Sequence, residues 1–168
     1  MRGGVLGLIT PWNFPLAIPL RTIFPALLVG DAVVLKPSEY TPRIAHRLGC
    51  LLREVYGPHL VSVVVGEGAA GAALIDAGVD AVSFTGSVAT GRKVGAHAGQ
   101  SLVPVALELG GKDAAIVCED AAIERTCRGL VWGAFANTGQ NCAAIERVYV
   151  HRRVAQQVTA RVVELVEA

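Results

Sequence analysis

The sequence predicts an α/β protein built on a doubly wound, parallel sheet. Short and nearly continuous apolar runs recur along the 168 residues, and strands that are apolar on both faces are typical of a parallel sheet covered by helices. Segments with helical spacing separate these runs, so strands and helices alternate. Ligands of such sheets bind beyond the carboxyl ends of the strands, and the loops that follow the strands are therefore the places to search for a site.

Six apolar runs predict the strands. Each consists mainly of Val, Leu, Ile and Ala, as expected of strands that are buried on both faces. They cover residues 5–9, 32–35, 60–65, 81–84, 103–107 and 114–117. A further strand is predicted over Val148-Tyr149-Val150, between the last two helical segments.

The clearest predicted helix begins at Thr41-Pro42, where a capping residue precedes a proline whose missing N–H costs nothing in the first turn. Gly57-Pro58 ends this helix. Its predicted apolar face consists of Ile44, Leu48, Leu51, Leu52 and Val55. Three more helices are predicted, from Ser87 to near Gly99, from about Ala121 to Ala136, and from about Val154 to Glu167.

Charge and composition exclude several classes of partner. The formal net charge is +1, and scattered Lys and Arg leave no basic stripe for nucleic acid. Arg21, Asp31 and Lys36 break the apolar runs before they reach the roughly 18 residues of a membrane-spanning helix. The four cysteines lack the paired spacing of a zinc site, so no metal is predicted. Since no secretion signal is recognisable, we expect a cytoplasmic protein with reduced thiols.

The stretch Gly66-Glu67-Gly68-Ala69-Ala70-Gly71 matches the dinucleotide pattern G-x-G-x-x-G, which lets a backbone approach a pyrophosphate. The usual pattern also requires an acidic residue about 20 positions later. This chain has Phe84-Thr85-Gly86-Ser87 there instead. Glycines that pack a tight turn are the alternative, and the missing acid favours it.

Two other motifs at strand ends have the chemistry of a nucleotide site. Phe84-Thr85-Gly86-Ser87 ends a strand in a glycine and a capping serine, which leaves N–H groups of the next helix for an anion. A helix cap without a ligand is the alternative there. Lys36-Pro37-Ser38-Glu39 offers a cation and a carboxylate that suit a ribose diol, and a solvated turn is its alternative.

Cys142 is the candidate nucleophile. It follows the polar turn 137–141 and is predicted to be the best-exposed thiol, whereas Cys50, Cys118 and Cys127 are expected to be small packing residues.

A carboxylate and an amide complete the candidate catalytic groups. Glu108, in Glu108-Leu109-Gly110-Gly111, follows a strand and would act as a general base if partly desolvated; a surface acid is the alternative. Asn13, in Pro11-Trp12-Asn13-Phe14-Pro15, is a side-chain amide suited to stabilising an oxyanion. A proline-rich turn with local backbone bonds is the alternative for Asn13.

In their order along the chain, five motifs resemble those of the NAD(P)-dependent aldehyde dehydrogenase superfamily. They are Pro11-Trp12-Asn13-Phe14-Pro15, Lys36-Pro37-Ser38-Glu39, Phe84-Thr85-Gly86-Ser87, Glu108-Leu109-Gly110-Gly111-Lys112 and Gly139-Gln140-Asn141-Cys142. The resemblance covers nearly the whole chain but only about the middle third of a family member. It implies a truncated Rossmann-like doubly wound sheet: residues 1–111 as the NAD(P)-binding domain and residues 112–168 as the incomplete beginning of the catalytic domain.

The resemblance also implies roles for the catalytic residues. Cys142 would attack the aldehyde, while the Asn13 amide and the Cys142 backbone N–H would stabilise the oxyanion. Glu108 would activate the water that hydrolyses the thioester, which gives a carboxylic acid. The expected partner is a small aldehyde, and the parent protein is expected to be a homo-oligomer, a dimer or a tetramer.

A set of cofactor-binding residues is implied as well. They are Ile9, Thr10, Pro11, Trp12, Lys36, Ser38, Glu39, Gly66, Gly86, Ser87, Leu109 and Gly110. Lys36 and Glu39 would hold the adenosine ribose, and Gly86 and Ser87 would face the pyrophosphate. Because the Glu39 carboxylate would repel a 2′-phosphate, NAD is the expected cofactor, with NADP as the alternative.

Three other functions compete with this one. A coenzyme A-acylating relative would use the same cysteine but release a thioester, and Glu108 argues against it. A thiol hydrolase would need a histidine paired with Cys142, but the four histidines sit in no recognisable pattern. A non-catalytic nucleotide-binding fragment is the third reading, and we expect an isolated piece of this kind to be inactive alone.

Overall fold

A computed structural model describes residues 3–168, which fold into two compact units. The first unit ends at Leu109 and the second begins at Gly110. The sequence predicted this boundary between residues 111 and 112, two residues later. The assignment of nucleotide binding to the first unit and catalysis to the second stays a prediction.

A parallel sheet of five strands forms the centre of the first unit. Its strands are β1 (Val5–Ile9), β2 (Ala32–Lys36), β3 (Val61–Val63), β4 (Ala81–Thr85) and β5 (Val105–Glu108). They lie in the order β3-β2-β1-β4-β5, so the chain proceeds outward from β1 first in one direction and then in the other. The predicted doubly wound sheet is confirmed, and ligands of such sheets bind where the strand order reverses, at the carboxyl ends of β1 and β4.

Helices cover both faces of this sheet. They are α1 (Ala17–Val29), α2 (Pro42–Tyr56), α3 (Gly68–Asp76) and α4 (Val88–Gln100). Successive strand residues point to opposite faces: Leu8 belongs to a core formed with α1 and α2, whereas Ile9 belongs to a core formed with α3 and α4. The strands are therefore apolar on both sides, as their sequences indicate.

The buried face of α2 differs from the prediction. Ala45, Leu48, Gly49 and Leu52 are buried. Ile44, Leu51 and Val55 were predicted to join the apolar face, but they are exposed. The helix approaches the sheet most closely where it has no side chain: a Cβ atom added at Gly49 would lie 2.6 Å from Val63 Cγ2.

The predicted N-cap of α2 is only partly correct. The helix begins at Pro42, as predicted, but Thr41 makes no capping hydrogen bond with its side chain. Its hydroxyl oxygen is buried without a partner among the described residues. The backbone at Thr41 (φ −127°, ψ 42°) is not in the extended conformation that places a capping oxygen over the first turn.

The second unit has a parallel pair of strands, β6 (Asp113–Val117) and β7 (Ile145–Val150). The helices α5 (Ile123–Phe135) and α6 (Ala155–Glu167) supply Cys127, Leu130 and Val158 to its core. The predicted strand over residues 114–117 therefore belongs to this smaller sheet and not to the five-stranded one. Within residues 3–168, no helix is both long and apolar enough to cross a membrane.

Candidate active site

The strand register brings four of the predicted motifs to the carboxyl edge of the first sheet. Ile9 aligns with Lys36 on one side and with Phe84 on the other, and Thr85 aligns with Glu108. Backbone hydrogen bonds connect the ends of the strands: Thr10 N–H donates to the Lys36 carbonyl oxygen across 3.1 Å. The motifs that begin at Pro11, Lys36 and Phe84, together with Glu108, therefore start from one edge, as the sequence predicted.

Lys36 and Ser38 are buried, which argues against a solvated turn at this motif. The Lys36 ammonium nitrogen lies 3.6 Å from Glu39 Oε2, and the Glu39 side chain is 44% exposed. Ser38 Oγ donates to the same carboxylate across 3.4 Å and accepts from Tyr40 N–H across 3.3 Å. The turn thus presents a buried cation and an accessible anion side by side, the pairing that suits a diol.

The surroundings of Glu39 favour its charged form. A hydrogen bond from its own backbone N–H, the nearby Lys36 ammonium and the Ser38 hydroxyl lower the pKa of Glu39 below its usual value, although partial burial opposes them. A lowered pKa keeps this carboxylate ionised at neutral pH.

The Pro11–Pro15 segment follows β1 directly. Asn13 is half-buried, whereas the Trp12 side chain is 40% exposed. Thr10, just before this segment, is buried, and its hydroxyl oxygen has no hydrogen-bond partner among the described residues. A buried hydroxyl without a partner is costly, so a polar group of a ligand would relieve it.

Ser87 caps α4, as predicted. Its hydroxyl oxygen accepts from Thr90 N–H across 3.2 Å and donates to Thr90 Oγ1 across 3.0 Å. Gly86 is required for close packing here, because an added Cβ atom would lie 2.6 Å from the Phe84 ring. The cap is established, and an anion at the remaining N–H groups stays a prediction.

A cavity of about 410 Å³ lies between α3 and α4 and reaches Lys36. Small residues of α3 form one wall: a Cβ atom added at Gly71 would contact Ile9 Cδ1 at 3.6 Å and Lys36 Cδ at 3.9 Å. The α4 wall carries Thr90, Lys93 and His97. This wall is not among the features predicted from the sequence. Its signal there is the Gly-Ala-rich start of α3, whose glycines also fit a tight turn.

Gly66 lies just before α3, outside the lining of this cavity. An added Cβ atom would be 2.7 Å from Ala70 Cβ, so packing within the turn already accounts for this glycine. Its predicted contact with a cofactor is untested.

Glu108 is exposed, which agrees with the alternative of a surface acid and not with a partly desolvated carboxylate. The reason is its position at the end of β5, an edge strand whose residues from Ala106 onward are all exposed. Leu109 is half-buried and packs toward Gly91, where an added Cβ atom would lie 2.5 Å from Leu109 Cδ2.

In the second unit, a tight turn before β7 presents Cys142. The thiol is exposed, but Cys118 is exposed as well, so the prediction that Cys142 is the best-exposed of the four thiols stays untested. Asn137, Thr138 and Gly139 all have left-handed backbone conformations, with φ between 54° and 73°. Such a conformation is strained for a β-branched Thr, and backbone strain of this kind clusters at functional sites.

Hydrogen bonds order the cysteine turn. Asn141 Oδ1 accepts from Ala143 N–H across 3.1 Å, and Cys142 Sγ lies 3.8 Å from the same oxygen. The Asn141 N–H donates to the Gly139 carbonyl oxygen across 2.8 Å. The sulfur is therefore held on a defined backbone and not on a loose loop.

The beginning of β6 supports this turn from the side. A Cβ atom added at Gly111 would lie 3.0 Å from the Cys142 carbonyl oxygen, so only glycine fits without a shift. Lys112 forms an ion pair with Glu146, and Arg147 donates to the Lys112 carbonyl oxygen across 2.6 Å. These contacts fix the Gly111-Lys112 backbone next to Cys142.

The other cysteines follow the prediction only in part. Cys127 is buried, and desolvation raises the pKa of its thiol. Cys50 is partly buried. Cys118 was expected to be a packing residue, but it is exposed, because it lies just beyond Val117, the last buried residue of β6.

Comparisons with known proteins point to a single family. A sequence model of the Aldehyde dehydrogenase family matches residues 3–168. The chain is 43% identical over 150 residues to a 4,4'-diapolycopene aldehyde oxidase of Methylomonas sp, covering 89% of this chain and 28% of that protein. It is 43% identical over 169 residues to a mitochondrial aldehyde dehydrogenase of Leishmania tarentolae, covering 98% and 34%.

Solved structures agree with this match. An NAD-dependent aldehyde dehydrogenase from Sinorhizobium meliloti superposes with a TM-score of 0.94 at 38% identity, covering 98% of this chain and 33% of that one. The chain thus spans about a third of the length of the curated relatives it matches.

Proposed function

This chain belongs to the aldehyde dehydrogenase family, and we propose on that basis that the protein oxidises an aldehyde to a carboxylic acid while NAD is reduced. The observation that carries the proposal is the exposed Cys142 thiol, presented by an ordered and strained turn immediately before β7. A thiol in such a position is accessible to a carbonyl carbon, whereas a buried thiol such as that of Cys127 is not.

The first unit fits the cofactor. The buried Lys36 ammonium and the ionised Glu39 carboxylate suit the two hydroxyl groups of the adenosine ribose. The cavity between α3 and α4 opens beside Lys36, and its small α3 residues leave room for the adenine ring. The unpartnered hydroxyl of Thr10 suits a further polar group of the dinucleotide. We assign NAD as the preferred cofactor, because the charge of Glu39 repels a 2′-phosphate.

Ser87 and Gly86 would hold the pyrophosphate. The first-turn N–H groups of α4 point outward beyond the Ser87 cap, and the positive end of the helix dipole favours a negative charge there. Gly86 lets the backbone come close. Trp12, half-exposed after β1, would line the same edge.

The covalent chemistry belongs to Cys142. Its thiolate adds to the aldehyde carbon, and the carbonyl oxygen becomes an oxyanion in a thiohemiacetal. The Asn13 amide and the Cys142 backbone N–H donate hydrogen bonds to that oxyanion. NAD, when bound, would supply the two-electron oxidant for the same carbon, and a thioester would then remain on the Cys142 sulfur.

Glu108 completes the cycle by hydrolysis. Its carboxylate takes a proton from a water molecule whose oxygen attacks the thioester carbon, and the acid leaves as the Cys142 thiolate is restored. The presence of a carboxylate at this position favours hydrolysis over transfer to coenzyme A.

A small-molecule aldehyde is the proposed substrate. A homo-oligomer and a cytoplasmic setting are also part of the proposal. The support for the cytoplasm is chemical: all four cysteines are free thiols, which a reducing compartment maintains.

The function is tested by following reduced nicotinamide with a panel of aldehydes and both NAD and NADP. We expect turnover with NAD, and Cys142→Ser should lower kcat by at least about a thousandfold. Cys118→Ser is the matched control, because Cys118 is also exposed, and it should retain full activity. If no aldehyde yields reduced cofactor, or if Cys142→Ser keeps normal turnover, the proposed function is wrong.

The hydrolytic step has a separate test. Glu108→Gln removes the base but not the nucleophile, so a single burst of reduced cofactor should persist while steady-state turnover falls by about a hundredfold or more. Full steady-state turnover in this variant would contradict the role of Glu108.

A further inference from the structure

A hydrogen bond joins the ends of the two helices that form the α3–α4 cavity. His97 Nε2 on α4 donates to Asp76 Oδ1, in the last residue of α3, across 2.7 Å. His97 itself lines the cavity. The α3 residues that line it include Gly68, Gly71 and Ala72, whose short side chains leave the space between the helices open.

We propose that Asp76 and His97 are positioning residues for the nucleotide site: their hydrogen bond holds α3 and α4 at the separation that admits the adenine ring. The inference rests on the proposed function, since it takes the cavity as the adenosine site. It adds a role for two residues that contact neither the aldehyde nor the reacting atoms. Asp76 does not line the cavity, so it acts only through His97.

The position of Asp76 supports this role. A carboxylate in the last turn of a helix interacts unfavourably with the helix dipole. Asp76 is therefore in a position that α3 itself does not favour. The bond with His97 gives the carboxylate a partner, and it connects the two helices.

The consequence for binding follows from pre-organisation. Without the bond, α3 and α4 would sample other separations. Nucleotide binding would then have to restore the separation that leaves the cavity open, at a cost in binding free energy. The chemistry on Cys142 involves neither helix. The affinity for the adenosine half of the cofactor should therefore fall, while kcat at saturating cofactor should not change.

The test uses ADP-ribose, the cofactor without nicotinamide, as a calorimetric probe of the purified protein, together with steady-state kinetics. For Asp76→Ala we expect about fivefold weaker ADP-ribose binding and a similar rise in KM for NAD, with kcat unchanged. Asp76→Asn retains an acceptor oxygen for His97 Nε2, so its affinity should lie near that of the wild type. Glu164→Gln disrupts an exposed ion pair with Arg161 in the second unit and is the control without effect on binding.

These measurements distinguish a failure of the positioning role from a failure of the proposed function. If the wild-type protein turns over aldehyde and Asp76→Ala binds ADP-ribose as tightly as wild type, the positioning role is wrong and the proposed function stands. If the wild type neither binds ADP-ribose nor reduces NAD, the proposed function fails first. If Asp76→Ala lowers the melting temperature, His97→Gln provides a second measurement. The glutamine amide keeps a donor group for Asp76, so ADP-ribose affinity should fall less than in Asp76→Ala. A loss of affinity as large as that of Asp76→Ala would contradict the positioning role.

Discussion

Glu39 shows how one residue combines accessibility with a fixed charge. Its side chain is nearly half exposed, yet its own N–H, Lys36 and Ser38 lower its pKa. A lowered pKa means that these contacts stabilise the protein above the usual glutamate pKa and that the stabilisation is lost as pH falls through the lowered value. At neutral pH the carboxylate is therefore ionised, and solvent screening keeps its contribution to stability small.

From this charge we predict the effect of Glu39→Gln on cofactor choice. The amide keeps the size and a hydrogen-bonding group but removes the repulsion of a 2′-phosphate, so the preference for NAD over NADP in kcat/KM should fall by about tenfold. Titration of Glu39 should not itself change the preference of the wild type between about pH 8 and about pH 6, because its lowered pKa keeps the carboxylate ionised there. Ser62→Ala, an exposed position on β3, is a control. An unchanged preference in Glu39→Gln would show that another residue discriminates.

Residue identity was easier to predict than residue environment. Ser87 was predicted as a helix cap from its type and position, and the structure confirms it. The exposure of Cys118 was not predicted and that of Glu108 was only an open alternative, because exposure depends on which strand lies at the edge of a sheet and where the buried face of a strand ends. Those are properties of strand pairing between distant segments.

The packing of α2 on β3 depends on a glycine, which is a feature at the scale of the element. A Cβ atom at Gly49 would lie 2.6 Å from Val63 Cγ2. Valine is branched at Cβ and has few rotamers, so it has little freedom to move aside. The sequence predicted the ends of this helix correctly, but not which side faces the sheet, because large apolar residues occur on both sides.

We therefore predict that Gly49→Ala destabilises the protein. The overpacking should cost about 1–3 kcal/mol and exceed the gain of about 1 kcal/mol in helix propensity. Gly129→Ala is the matched control, since Gly129 lies within α5 and an added Cβ atom there meets nothing within 4 Å. Urea unfolding measures both variants. A Gly49→Ala variant as stable as Gly129→Ala would contradict the close approach of α2 to β3.

Two helices, α1 and α3, were not predicted from the sequence. Pro19 and Pro25 lie within α1 and interrupt its helical signal, although tertiary packing buries one face of this helix. The start of α3 is rich in glycine and alanine, and it resembled a phosphate-binding turn. In both cases packing against the sheet outweighs the local preference of the residues.

At the scale of the whole molecule, the parallel sheet was predictable because strands buried on both faces have a distinctive composition. The division into two sheets was not predictable from that composition. The run at residues 114–117 is as apolar as the others, yet it forms β6 and pairs with β7. The choice of partner depends on contacts with later residues, which a local pattern does not contain.

The two units are predicted to divide the work, with nucleotide binding in the first and covalent chemistry in the second. Gly71→Leu tests this division. The added side chain would extend from α3 into the cavity beside Ile9 and Lys36, and it should weaken ADP-ribose binding by about tenfold or more. Helix propensity favours leucine over glycine, which offsets part of the cost of the larger side chain, and the unfolding midpoint in urea checks that the variant remains folded.

The reactivity of Cys142 is measured by alkylation with iodoacetamide in the absence of nucleotide, followed by peptide mass spectrometry. Gly71→Leu should be alkylated at the wild-type rate, because the turn that presents this thiol is built entirely from residues of the second unit. Gly129→Leu, which adds the same side chain to α5, is the control that should leave ADP-ribose affinity unchanged. If Gly71→Leu bound ADP-ribose normally, the adenosine would have to bind outside the α3–α4 cavity. A slowed alkylation of Cys142 in Gly71→Leu would instead mean that the two tasks are coupled.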